Sequence, residues 1–137
     1  MKVFLDTNVL ASALTTRGLC ADLFREVIAS EDLVVSAPLF TELRRTILKK
    51  FHAPTDFVDE TLAFLERETL LAPPGDLVPI KIKDQDDVVI LSSALRGKTD
   101  VFVTGDKEVH GLKKIGRMEI LTPREFWGRL KKANLKS

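Results

Sequence analysis

Cysteine is almost absent from this chain: Cys20 is the only one in 137 residues. A lone thiol excludes an internal disulfide, and the expectation that follows is a reducing, cytoplasmic setting. Histidine is scarce as well. His52 and His110 show no zinc-ligand spacing, and with Cys20 isolated the chain has no recognisable zinc site. Long apolar runs are missing. Val3-Phe4-Leu5 stops at Asp6, too early for the hydrophobic region of a signal peptide, and no segment reaches the ~20 residues of a membrane span. Repeats, low-complexity tracts and linkers long enough to divide domains are missing too. One domain over residues 1–137 is therefore expected, long enough for a proper core.

What is present fits a globular protein: 45% hydrophobic and 30% charged residues. The net charge of +1 conceals an asymmetry. Residues 1–106 hold 12 Lys and Arg against 17 Asp and Glu, a net of −5, whereas residues 107–137 hold 9 against 3, a net of +6. Each cation of the basic tail has an ordinary role in solubility. As a group they form a basic margin beside an acidic region, and a phosphate-rich polymer is drawn to such a margin.

Apolar spacing gives a coarse map. Lys2–Leu5 reads as a buried strand cut off by Asp6. Asn8–Thr15 has helical spacing at Val9, Leu10, Ala13 and Leu14; Gly18 breaks it, and Ala21–Ser30 continues as a second amphipathic helix. Leu33-Val34-Val35 is a second strand. Ser36 caps a helix that tolerates Pro38 in its first turn and runs to about Lys50. Thr55 or Asp56 starts another helix through Glu68, with Phe57, Leu62, Phe64 and Leu65 as its apolar residues, and Pro73-Pro74-Gly75 closes that segment. Val78–Ile82 is a weakly signalled edge strand. Asp86–Arg96 is an apolar helix ended by Gly97, Val101–Thr104 a strand, Lys107–Leu112 a short helix and Met118–Leu121 a last strand. Thr122-Pro123-Arg124-Glu125 is a capping box that opens the final helix. Strands alternating with helices predict a three-layer α/β/α sandwich around a parallel sheet, in which ligands bind beyond the carboxyl ends of the strands.

Acids stand where these elements meet. Asp6 follows the first strand, as a helix cap or as a ligand, with Thr7 and Asn8 beside it to orient a carboxylate, a water or a phosphate. Asp84-Gln85-Asp86-Asp87 opens an apolar helix, where acids complement the helix dipole. Asp87 shares a face with Ile90, Leu91 and Ala94, so it lies along the stripe that packs on the sheet, whereas Asp84 suits a turn. Asp106 follows Thr104 and Gly105, in a turn where glycine lets the backbone approach a ligand. Glu42 lies beside the apolar residues Leu39, Phe40, Leu43 and Ile47, where a surface pair with Arg45 would account for it equally well. Each residue alone has a structural explanation. Gathered together, the carboxylates would repel one another unless protons or a cation neutralise them, and an all-oxygen donor set suits Mg²⁺ or Mn²⁺ better than Zn²⁺.

At these residues the chain resembles the PIN-domain (PilT N-terminus) family. The likeness runs from Val3-Phe4-Leu5-Asp6-Thr7-Asn8-Val9-Leu10 to Ile120-Leu121-Thr122-Pro123-Arg124-Glu125-Phe126. It is greatest for the branch of VapC-like toxins of toxin–antitoxin pairs, with their D-x-D-D run (Asp84–Asp87) and V-T-G-D turn (Val103–Asp106). The family often has proline at the position of Gln85. The resemblance implies catalytic carboxylates at Asp6, Glu42, Asp87 and Asp106, metal ligation centred on Asp6, Asp87 and Asp106, and auxiliary roles for Asn8, Asp86 and Thr104. It also implies a sheet in the order 3-2-1-4-5, a Mg²⁺-dependent ribonuclease, a homodimer and a small antitoxin partner. The apolar residues of the first two helices are candidates for the dimer interface.

The expected chemistry is hydrolysis of an RNA phosphodiester, with single-stranded RNA able to bend into a carboxylate-lined groove. Lys107, Lys113, Lys114, Arg117, Arg44 and Arg45 are the candidate phosphate contacts. Three alternatives stand beside it. A phosphatase with Asp6 as nucleophile lacks a second acid two residues on, since Asn8 is there. A non-catalytic domain that binds RNA or protein would be expected to have lost acids. An RNA-processing nuclease without an antitoxin would share the site.

Overall fold

The computed structural model describes the backbone of residues 1–136 and the side chains of residues 1–133. In chain order the elements are β1 (Lys2–Leu5), α1 (Thr7–Thr15), α2 (Leu19–Ser30), β2 (Asp32–Val35), α3 (Ala37–Lys49), α4 (Thr55–Glu68), β3 (Leu70–Leu71), α5 (Gln85–Arg96), β4 (Val101–Val103), α6 (Lys107–Gly111), β5 (Lys114–Ile115), β6 (Met118–Leu121) and α7 (Pro123–Lys136).

The central strands are buried at successive positions. Val3, Phe4 and Leu5 are fully buried, and Leu33–Val35 and Val101–Val103 follow the same pattern. Neighbouring side chains of a strand point to opposite faces, so burial at every position means that both faces of the sheet are covered. The sheet is the middle layer of a three-layer α/β/α arrangement, in the order β3-β2-β1-β4-β6-β5. All pairings are parallel except that of the short β5 with β6. Leaving β5 aside, the order is the expected 3-2-1-4-5. Phe4 and Phe102, opposite one another in the β1–β4 register, stack at 5.3 Å between ring centroids.

Helix starts follow local chemistry. Ser36 Oγ accepts from the Leu39 N–H and caps α3. Its hydroxyl also meets Ser93 Oγ at 2.7 Å; because Ser93 donates to the Ile90 carbonyl, Ser36 is the donor in that pair, which ties α3 to α5. At α7 the capping box closes both ways: Glu125 N–H donates to Thr122 Oγ1 and Thr122 N–H to Glu125 Oε1.

Three features depart from the pattern read in the sequence. Val78–Ile82 is not a strand. The edge place belongs to Leu70–Leu71, which pairs with Val34–Val35, and the Val78 N–H donates to Ser92 Oγ instead. Leu70 and Leu71 meet the sheet directly as the chain leaves α4; Pro73 then ends any continuation, because proline has no N–H to give. Second, α4 buries Val58 and Leu65, seven residues apart, while Phe57 is 39% exposed. Third, β5 is a two-residue strand turned back by the loop at Gly116, whose φ of 57° suits glycine.

Candidate active site

β1 lies between β2 and β4, so its carboxyl end opens at the middle of the sheet edge. Asp6 extends that strand by one ladder bond, its N–H donating to the Val103 carbonyl at 2.9 Å. Its side chain is then fixed from two sides. Oδ1 accepts from the Thr7 N–H at 2.8 Å, capping α1, and Oδ2 accepts from the Thr104 hydroxyl at 2.8 Å. The capping role and a site role thus coincide in one carboxylate. Thr104 is fully buried, and its Oγ1 also accepts from the Asp106 N–H at 3.0 Å. Asp106 caps α6 through Oδ1, which accepts from the Val109 N–H.

The buried Thr7 hydroxyl donates to Glu42 Oε1 at 2.8 Å, across 35 residues of sequence. This bond brings α3 to the mouth of β1. Glu42 is therefore held by Thr7 rather than engaged in the surface pair with Arg45 that its helix spacing allowed; Arg45 acts on it only at a distance, as a charge that lowers its pKa. Asp87 comes from the first turn of α5. Ile90, Leu91 and Ala94 of the same stripe are buried, which points the Asp87 side toward the sheet edge.

Asp6, Glu42, Asp87 and Asp106 line one cleft of ≈ 520 Å³, with Thr7, Asn8 and Gly105 on its wall. The electrostatics reflect this gathering. Burial raises the pKa of Asp6, against the two hydrogen bonds from Thr104 and Thr7 that lower it; the charge of Asp106 adds to the rise. Burial raises Glu42 too, with the Thr7 bond opposing and the charges of Asp6 and Asp86 adding. Asp87 has no such donor among the described residues, and it is pushed up to about 7 by burial and then by the charges of Asp84, Asp6, Asp106 and Glu42. Among the described residues, no three acids, histidines or cysteines are drawn together tightly enough to form a metal centre as they stand. The donor set nevertheless fits a hard divalent cation: four carboxylates on one cleft, all oxygen, three of which raise the proton affinity of the fourth, Asp87.

The remaining candidates are distributed unevenly. Asn8 lines the cleft and is exposed. Asp84 is the N-cap of α5, its Oδ1 accepting from the Asp86 N–H, and Asp86 is exposed off the cleft wall, near enough to raise Glu42. Arg44 turns away and pairs with Asp59 on α4. Lys107, Lys113 and Lys114 are exposed, and none of them lines the cleft. Arg117 is placed at the other end of the sheet, in a separate cavity with Lys98 and Asp100 at the amino ends of β4 and β6. Five cleft residues are not among the sequence-based site candidates: Val9, Ser12, Cys20, Lys50 and Pro123. For Lys50 a signal existed, since it follows Glu42 by two helical turns, at 42, 46 and 50.

Comparison with known proteins agrees with this fold. No curated protein matches the chain in sequence. Among solved structures, a chain of VapBC2 from Rickettsia felis, a complex bound to a DNA fragment from its promoter, superposes with a TM-score of 0.61 at 16% identity, over 89% of this chain and 98% of that one. A chain of VapBC-1 from nontypeable Haemophilus influenzae gives 0.61 at 17% identity, over 90% and 99%. A chain of FitAcB from Neisseria gonorrhoeae gives 0.54 at 16% identity, over 89% and 98%. At these identities the likeness is one of fold. The sequence model of the PIN domain matches residues 2–108, the stretch that carries all four cleft acids, and the chain belongs to the PIN-domain family.

Proposed function

We propose that this protein is a Mg²⁺- or Mn²⁺-dependent endoribonuclease, a single domain over residues 1–137, and the toxin of a toxin–antitoxin pair. The observation that carries the nuclease reading is the convergence of Asp6, Glu42, Asp87 and Asp106 on one cleft at the carboxyl edge of a parallel sheet. The toxin reading is supported by structural likeness to chains of VapBC and FitAcB complexes. A small antitoxin, a homodimer and a cytoplasmic location belong to the same reading. Among the described residues, no helix is long and apolar enough to cross a membrane.

Asp6, Asp87 and Asp106 are the residues that would hold the cation. When bound, it supplies Lewis-acid polarisation of the phosphate and makes water a better nucleophile at neutral pH. The chain supplies the rest. Thr104 and Thr7 hold the Asp6 carboxylate, Thr7 holds Glu42 and the Val109 N–H holds Asp106, so three of the four acids are positioned before substrate arrives. Water adds to phosphorus as the bond to the leaving ribose oxygen breaks. One proton passes to a cleft carboxylate, a role open to Glu42, which lines the cleft outside the cation-holding set, and the leaving oxygen takes a proton from solvent. Asn8 offers an amide at the cleft wall, Thr104 supports Asp6, and Asp86 adds negative charge near Glu42. Arg45, whose charge acts on Glu42, and Lys107, next to Asp106 in the chain, are the candidate cations best placed along an RNA strand.

Cleavage of labelled single-stranded RNA by wild type and Asp6→Asn, with Mg²⁺ and with EDTA, tests the reading. Cleavage by wild type only, and only with Mg²⁺, is expected. Equal activity in the two proteins would sink it.

A further inference from the structure

Among the described residues, the cleft wall that carries four acids carries one cation, Lys50. It follows the last residue of α3, two turns after Glu42 on the same side of the helix, so one helix delivers both an acid and a cation to the cleft. Its environment leaves the charge available. Among the described residues its ammonium has no ion-pair partner; its one recorded contact is the Phe51 ring, 5.9 Å from the centroid. Lysine at a helix end also complements the helix dipole, but that role does not require it to line a cleft.

A polyanion meets a difficulty in this cleft. Its carboxylates attract a divalent cation, yet they repel every phosphate that the cation does not neutralise. A strand lying across the cleft brings phosphates on either side of the one being cleaved, and one metal site does not cover them all. A flexible ammonium on the wall answers that need as a point charge.

We propose that Lys50 is a substrate-binding residue that holds an RNA phosphate next to the scissile one and so sets how the strand lies on the carboxylates. This rests on the nuclease reading for the identity of the scissile phosphate, but the contact itself is testable without cleavage. The wild-type protein, Lys50→Ala, Lys50→Arg and, as a neighbouring control, Lys49→Ala are compared in binding a fluorescent single-stranded RNA in Ca²⁺ across a salt series, and in Mg²⁺-dependent cleavage. Both lysines are exposed, so all variants are expected to fold, which circular dichroism checks.

The expected result is a roughly five- to tenfold loss of affinity in Lys50→Ala, with the slope of log affinity against log salt reduced by about 0.7, the loss of one phosphate contact on a single strand. In cleavage, KM rises by a similar factor while kcat changes less than twofold. Lys50→Arg recovers most of the affinity, and Lys49→Ala resembles wild type. Wild-type affinity and salt slope in Lys50→Ala, an equal loss in Lys49→Ala, or wild-type protein that binds no RNA would each overturn the assignment. Lys50-dependent binding by a wild-type protein that does not cleave would support the contact while removing the nuclease reading.

Discussion

Asp87→Asn should stabilise the metal-free protein at alkaline pH. Asp87 is the cleft acid without a hydrogen-bond donor of its own among the described residues, and its pKa is pushed from 3.8 to about 7 by burial and by Asp84, Asp6, Asp106 and Glu42. A carboxylate whose folded-state pKa is raised binds more protons folded than unfolded, so stability falls as pH rises. The loss begins near the unfolded value of 3.8 and is complete above about 7. A shift of about three units would nominally correspond to about 4 kcal/mol, but Asp87 is partly open to solvent, and screening reduces that to roughly 2 kcal/mol. Asp87 also occupies the first turn of α5, where its negative charge recovers a few tenths of a kcal/mol from the helix dipole. The net expectation is that Asp87→Asn raises unfolding free energy by about 1–2 kcal/mol at pH 8, and by less than half of that at pH 5.

Urea denaturation in EDTA at the two pH values measures this directly, with the midpoint read at constant m-value. Mg²⁺ supplies the second arm. A cation that neutralises the cluster stabilises wild type at pH 8 and stabilises Asp87→Asn less, so the difference between the two shrinks or reverses as Mg²⁺ is added. Asp87→Asn that destabilises the EDTA-treated protein at pH 8, or a gain of the same size at pH 5, would refute the argument that burial and crowded charge raise Asp87.

The other outcomes follow from single contacts. Thr104→Val removes the donor to Asp6 and the acceptor of the Asp106 N–H; thermal or urea unfolding should show a loss of about 1–3 kcal/mol, largely restored in Thr104→Ser, and carboxyl-detected NMR should place the Asp6 pKa above its wild-type value. Thr7→Val breaks the 2.8 Å bond to Glu42 without a large change of shape, so the Glu42 pKa should rise further in the same NMR titration and RNA cleavage should fall by about tenfold or more. Gly97→Ala places a methyl 2.7 Å from Val34 Cγ1 and 3.0 Å from Ala72 Cβ, where buried neighbours have little room to move; a loss of about 1–3 kcal/mol in urea unfolding is expected, with the cleft unaffected.

The legible parts of this fold are those that depend on neighbours in sequence. Val3–Leu5 and Val101–Val103 are buried on both faces, so they read as short apolar runs, and the acids after them fall at the strand ends by necessity. Asp87 was legible because its helix stripe is regular. Glu42 was not: the bond that places it joins residues 35 apart, and nothing in its own helix separates that role from a surface pair with Arg45. The edge strand failed for a related reason. Leu70–Leu71 is a strand only because Val34–Val35 offers it an unpaired edge, whereas Val78–Ile82 has more strand-like composition and no such partner.

Charge counted along the chain says least about which cations face the acids. The basic surplus of residues 107–137 suggested that the cations facing the acids come from that stretch. The fold distributes them differently. Arg117 stands at the amino ends of β4 and β6, the opposite edge from the cleft, and Lys113 and Lys114 lie off its wall. The cation that does line the cleft, Lys50, belongs to the acidic stretch and reaches the site because it keeps helical phase with Glu42. A parallel sheet collects its functional residues at one edge, and a net charge summed over a segment mixes residues from both edges. Helical phase with an acid already placed there separates them: position 50 shares a face with position 42, while Arg44, two residues on, points to Asp59.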